Sequence, residues 1–196
     1  GIEETSRHER FAFFERVCLR CGASAVAVGH HADDQAETVL HRLMRGTGLR
    51  GLAGMPMSRP LTHGSHIRLI RPLLSFTRLS LREYLASQQI SFREDHSNAD
   101  HELMRNRIRH IVLPLLEQQV NPQVRGALLR LAEQARWFED YFHENVARTF
   151  ETLLVSRTDR GIVLNAAALS RKSKLLQTGL IREAYAGFGL GEADLS

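Results

Sequence analysis

The sequence predicts an α/β domain that passes into a mainly helical second half, and three observations carry the prediction. A helical pattern over residues 5–21 ends at Gly22. The short apolar run Ser24-Ala25-Val26-Ala27-Val28 follows, and a second helical pattern begins only a few residues later, at Asp33 or Asp34. Helix, strand and helix in quick succession are the mark of an α/β unit. The first helix sets Phe11, Phe14, Cys18 and Cys21 on one face, and the cysteines read there as small buried hydrophobes. A metal site would need further ligands at matched spacing, and no second C-x-x-C exists. The Ser24 run suits a strand buried on both faces of a parallel sheet. The turn Gly29-His30-His31 leads into a helix carrying Ala36, Val39, Leu40, Leu43 and Met44 on one face. Gly46 ends it, and the loop over residues 46–51 follows.

Residues 55–64 hold two prolines and read as loop, and residues 66–70 as a further strand closed by Arg71-Pro72. Thr77 or Ser80 caps the next helix, with Ser80 and Glu83 at capping-box spacing and Leu81, Tyr84 and Leu85 turned inward. Residues 90–92 suit a short extended piece and residues 94–98 a polar loop. A helix with Ile108, Ile111, Val112, Leu115 and Leu116 on one face comes next, and Pro114 must kink or split it. Asn121-Pro122 predicts a capped start for a long helix whose stripe runs Val124, Leu128, Leu131, Ala135, Phe138, Phe142, Val146. Such a stripe wants a helical partner, and a domain boundary near residue 120 is expected: residues 1–120 in the first domain, residues 121–196 in a helical linker and the beginning of a second. The end of the chain predicts a turn at Asp159-Arg160-Gly161, a strand over 162–164 and a helix over 170–186.

Bulk properties narrow the function classes. The chain has 196 residues, 43% hydrophobic and 24% charged, an ordinary globular composition. No apolar run approaches the ~18 residues that span a bilayer, and no signal peptide is expected from the charged opening. That opening has no initiator methionine, so a chain starting inside a longer one is expected. Two cysteines give no sign of a disulfide scaffold, which suits the cytoplasm. The net charge of +4 with arginine in excess over lysine permits a nucleic-acid partner without requiring one.

The chemistry concentrates between His30 and Gly51. His30, Asp34 and Glu37 fall just past the carboxyl end of a strand and at the start of a helix, the edge where open α/β sheets bind ligands. Asp34 and Glu37 share a helix face. Acids in a first turn also complement the helix dipole, so capping and function both stay open on position alone. The glycine-rich loop is expected to bring Arg45 and the backbone of Gly46 and Gly48 to the same edge, where they could hold phosphate.

The run His30-His31-Ala32-Asp33-Asp34-Gln35-Ala36-Glu37-Thr38, followed by Arg45-Gly46-Thr47-Gly48, resembles the H-H-x-x-D-x-x-E-T … R-G-[TS]-G motif of tRNA(Ile)-lysidine synthetases. Two further blocks keep that family's order and spacing: Arg71-Pro72-Leu73-Leu74; and Glu94-Asp95-His96-Ser97-Asn98-Ala99-Asp100, continued by Arg105-Asn106-Arg107-Ile108-Arg109-His110, Leu113-Pro114 and Asn121-Pro122. The resemblance implies a Rossmann-like parallel sheet of the PP-loop ATP pyrophosphatase type, present in part. It implies an ATP- and Mg²⁺-dependent ligase that adenylylates the wobble cytidine of tRNA(Ile) with a CAU anticodon. Free L-lysine then attacks, and AMP and pyrophosphate are released. It carries over His30, Asp34, Glu37 and Arg105 as catalytic candidates, and Arg10, Arg45, Gly46 and Gly48 as nucleotide- or substrate-binding candidates. Arg109 and Asn106 are expected to brace their own helix. No membrane is expected as a partner, and a homodimer is compatible with the chain. The family's S-G-G-x-D-S loop does not occur in the sequence, so the chain by itself is expected to be inactive. A cytidine 2-thiolase-like enzyme and a non-catalytic RNA-binding module are the alternatives.

Overall fold

A computed structural model describes residues 2–62, 64–92, 104–158 and 161–187 of the chain, with side chains described from residue 8 onward. The polar loop expected at residues 94–98 lies outside them. The chain divides into two compact units, Gly1–Arg136 and Trp137–Ser196.

The first unit opens with α1 (Ile2–Cys21), which Gly22 ends at a φ of 68°. Strand β1 (Ala25–Ala27) pairs in parallel with β3 (Arg68–Ile70), and β2 (Ser58–Pro60) pairs antiparallel on the other side of β3, giving the order β1-β3-β2. The small sheet and its helices form an α/β arrangement. Strand β1 is not buried on both faces as its composition suggested: Ala25 and Ala27 are exposed and Val26 is half-buried. Strand β2 falls in the proline-containing stretch read as loop. Its terminal Pro60 is tolerated because an edge strand needs no donor on its outer side. One face of the sheet packs with α1, where Cys18, Leu61, Ile67 and Leu69 are buried beside Phe11, Phe14, Val26 and Val28. Cys18 therefore behaves as read, whereas Cys21 is exposed.

Helix α2 (Ala32–Met44) starts one to two residues earlier than expected, with His31 as N-cap. Its inward face buries Ala36, Val39 and Leu40, but Leu43 and Met44 are exposed. The buried trio meets Ile108, Leu113, Leu128 and Ala132 in the main core of the unit, and each large aliphatic side chain fully buried there contributes about 1.5–3 kcal/mol. The short α3 (Leu49–Leu52) is stapled back onto α2 by Arg42, whose Nη1 donates to the carbonyls of Gly51 and Gly54. Two turns earlier on α2, Gln35 holds the segment after α3 by exchanging two hydrogen bonds with the backbone of Met55. Gly54 is required there: φ is 67°, and a Cβ would lie 2.6 Å from the Gln35 amide. Helix α4 (Arg78–Ser87) is capped by Thr77, whose hydroxyl accepts from the Ser80 N–H. Tyr84 is exposed rather than turned inward, and residues 90–92 form no strand.

The helix expected around Pro114 is divided into α5 (Met104–Arg107), a π turn (Ile108–Val112) and α6 (Leu113–Gln119). The π turn shifts the buried register by one residue. Ile108 and Leu113 are fully buried, while Ile111 and Leu115, placed inward by α-helical counting, are 52% and 57% exposed. Asn121 caps the next segment through an Asx turn to the Gln123 N–H, and α7 (Val124–Leu153) begins after it. Its buried positions are Leu128, Ala132, Ala135, Val146, Phe150 and Leu153, with Leu131 and Phe138 exposed.

In the second unit the later part of α7 packs with a hairpin of β4 (Leu154–Thr158) and β5 (Gly161–Leu164) and with α9 (Lys174–Ala186). The sequence reading missed β4. The single helix expected over 170–186 is two, α8 (Ala166–Ser170) and α9, each started by its own cap, Asn165 and Ser173. Gly179 lets α9 approach α7 closely, since a Cβ would lie 2.7 Å from Val146 Cγ2. Among the described residues, no helix is long and apolar enough to cross a membrane.

Candidate functional site

The first turn of α2 carries an acidic pair that the fold withdraws from water: Asp34 is 7% exposed and Glu37 only 1%. Isolated carboxylates cannot be buried so deeply without partners, and two arginines supply them. Arg109 Nε donates to Glu37 Oε1 at 2.6 Å, and its Nη2 reaches Glu37 Oε2 at 3.0 Å and Asp34 Oδ1 at 2.8 Å. Arg105 Nε donates to Glu37 Oε2 and its Nη2 to Asp34 Oδ1, both at 3.2 Å. Two negative and two positive groups thus form one closed network across α2 and the helix containing the π turn. The two guanidiniums are not equivalent: the Arg105 side chain is 42% exposed, that of Arg109 23%, and Arg105 makes the longer bonds. The hydrogen bond to Glu37 holds the Arg109 guanidinium above its ordinary pKa against the opposing effect of burial.

Asp34 also serves the helix. Its Oδ2 accepts the His31 backbone N–H at 3.0 Å, so the third helical residue satisfies the N-cap donor. Capping and charge pairing therefore coexist on one carboxylate. The neighbouring Asp33 faces elsewhere: it accepts the Arg78 N–H at the start of α4 and pairs with Arg125 of α7 at 3.4 Å.

His30 stands at the mouth of this network, with its Nδ1 buried and without a hydrogen-bond partner. Burial pushes its pKa down; Asp34 opposes this, and the charges of Arg71 and Arg105, with His31, reinforce it. The imidazole is therefore neutral near pH 7 and able to accept a proton. The sign of the linkage follows. The unfolded state binds the proton more readily, so stability is complete above about pH 6.5 and declines as the pH falls from there through the folded-state pKa. His30→Gln is expected to remove that component, seen as a flatter dependence of urea midpoint on pH below 6.5.

Of the residues singled out from sequence, Asp34, Glu37 and Arg105 are in direct contact, with His30 beside them. Arg45, Gly46 and Gly48 are not brought there. They follow the C-terminal end of α2, and the helical rise sets Arg45 roughly 16 Å along the axis from Asp34. Gly46, at φ 75°, closes α2 with its N–H on the Leu43 carbonyl, and Gly48 caps α3. Arg10 is exposed on α1 and does not pair with the acids. Arg109, read as a brace for its own helix, is the residue the sequence reading missed. The signal was present: arginines four apart on one helix match carboxylates three apart on another. Among the described residues no group of three His, Cys, Asp or Glu side chains could hold a metal ion, and both buried carboxylates are engaged by guanidinium.

Comparison with known proteins places these residues in context. A family model described as the PP-loop domain matches residues 1–116. The chain is 37% identical over 196 residues to a tRNA(Ile)-lysidine synthase of Geobacter sulfurreducens, covering 100% of this chain and 40% of that protein. It is 39% identical over 151 residues to a protein of that name from Chlorobaculum tepidum, covering 77% and 44% respectively. A third, from Porphyromonas gingivalis, is 42% identical over 133 residues, covering 68% and 28%. The chain thus spans less than half the length of the relatives it matches.

Proposed function

The chain belongs to the PP-loop domain family, and on that premise we propose that it carries the amine-handling part of a cytoplasmic tRNA(Ile)-lysidine synthase. The observation that carries this reading is the buried Asp34–Glu37 pair, balanced by two arginines of unequal exposure. The names of the relatives point to a tRNA(Ile) as the substrate, and the proposed form is the one with a CAU anticodon. A complete PP-loop domain on the Rossmann-like plan is part of the same reading, with the parallel β1–β3 pair as its piece here.

In the proposed reaction the C2 oxygen of the wobble cytidine attacks the α-phosphorus of ATP, and pyrophosphate leaves. The ε-amine of free L-lysine then attacks C2. The bond from C2 to the adenylyl oxygen breaks, and AMP departs. An ammonium group needs a carboxylate to hold it, but both carboxylates begin fully paired. Arg105 is the partner that yields, because it is the more exposed and makes the longer bonds. Its guanidinium, displaced from Asp34, can then reach the phosphate of the adenylyl group, a pairing arginine favours. Arg109 and Glu37 stay in place and keep Asp34 oriented. Neutral His30 takes up a proton that the attacking amine must lose.

The test is the fate of ATP. A protein of the relatives' length that contains this chain is expected to convert ATP to AMP and pyrophosphate only with tRNA(Ile) present. Release of ADP and phosphate instead, or conversion indifferent to tRNA, counts against the proposal.

A further inference from the structure

The helix that delivers both arginines is interrupted at the second of them, with Arg105 ahead of the irregularity and Arg109 within it. Over Ile108–Val112 it widens into a π turn, and the Leu113 N–H donates to the carbonyl of Ile108, five residues back. Such turns are rare and have identifiable causes. One cause lies two residues after the turn. Pro114 has no N–H to give, and its ring excludes the carbonyl four residues before it, that of His110. The other is the spacing of the apolar anchors. Ile108 and Leu113 are both 0% exposed and enter the same core with Ala36, Val39 and Leu40 of α2. Five residues of α-helix turn roughly 500°, which would set these two side chains about 140° apart; the π turn brings them into line.

The segment therefore has to satisfy two registers. After the turn, Leu113 in the core, half-buried Leu116 and the Arg125 Nε–Glu117 Oε1 bond at 2.7 Å fix the orientation of α6. Arg105 just before the turn and Arg109 inside it must face Asp34 and Glu37. Without the extra residue the two halves cannot both be met. If Leu113 and α6 keep their places, Ile108 leaves the core and the stretch carrying Arg105 and Arg109 turns away with it.

We propose that Pro114 is a positioning residue for the site: it enforces the π turn that keeps Arg109 on Glu37 and Asp34 while Leu113 stays buried. The proposal rests on the ligase reading only for the use to which the network is put.

A double-mutant cycle tests it, using the whole chain, urea unfolding and no substrate. Pro114→Ala introduces the best helix former, so a folded variant is expected. Arg109→Gln is expected to lower the folding equilibrium constant at least about tenfold in the parent sequence, and less than about threefold once Pro114→Ala has been made. Thr77→Ala, which removes the α4 cap, is the control and should cost the same in both backgrounds. Backbone NMR gives the second readout. The hydrogen bond from the Leu113 N–H should pass from the Ile108 carbonyl to that of Arg109 in Pro114→Ala. An equal cost of Arg109→Gln in both backgrounds, or an unchanged Leu113–Ile108 bond, overturns the proposal. Neither result bears on whether the protein consumes ATP, so the two readings fail independently.

Discussion

Glu37→Ala is expected to cost this chain about 3–5 kcal/mol of folding stability, the range for breaking a buried ion pair by removing one partner. Glu37 is 1% exposed and accepts three of the five hydrogen bonds that the two arginines give to the acids, at 2.6, 3.0 and 3.2 Å. Alanine removes all three. It leaves the Arg109 guanidinium, little more than a fifth exposed, with Asp34 alone. Glu37→Gln separates the contributions, since it keeps the volume and one acceptor but not the charge. Urea unfolding reads the difference as a shift of midpoint at unchanged slope. A loss below about 1 kcal/mol for Glu37→Ala would place the pair among exposed ion pairs of little worth and contradict the burial on which the site depends.

Asp34→Asn is expected to slow lysine transfer by at least about a hundredfold in a protein of the relatives' length, with adenylylation of the tRNA much less affected. The two steps separate because Asp34 has different tasks in them. Asparagine is isosteric and can still accept the His31 N–H that starts α2, so the helix and the Glu37–Arg109 pair persist. What disappears is the charge that holds an ammonium group once Arg105 has moved. Rapid quenching of a single turnover distinguishes the cases: adenylylated tRNA should accumulate and decay slowly. Equal slowing of both steps would mean that Asp34 organises the whole site rather than receiving the amine.

Much of this site was legible in the sequence, and the illegible parts have physical reasons. The α2 periodicity identified Ala36, Val39 and Leu40 as core and left Asp34 and Glu37 on a shared face, which is where they lie. Their contact with Arg105 crosses about seventy residues of chain, and periodicity within one helix carries no information about that. The resemblance to a family brought Arg105 forward; Arg109 required the fold. Counting by α-helical spacing put Ile111 and Leu115 inside because nothing in that count anticipates a π turn, although Pro114 announced an irregularity. Arg45 was placed near Asp34 because the loop follows the motif closely in sequence, but a thirteen-residue helix separates its own ends. Strand β2 was hidden by Pro60 and by its length of three residues. The break between α8 and α9 turned on Ser173 rather than Ser170 acting as the cap, a choice that the composition around either serine leaves open.

The most direct measurement is incorporation of labelled L-lysine into a tRNA(Ile) CAU transcript by a protein of the relatives' length containing this chain. Incorporation should require ATP, should vanish when the wobble cytidine is replaced, and should slow by at least about a hundredfold when Asp34→Asn is introduced. A folded protein that binds the tRNA and consumes ATP yet transfers no lysine, or one whose transfer is indifferent to Asp34→Asn, would contradict the assignment of this acidic pair to the amine.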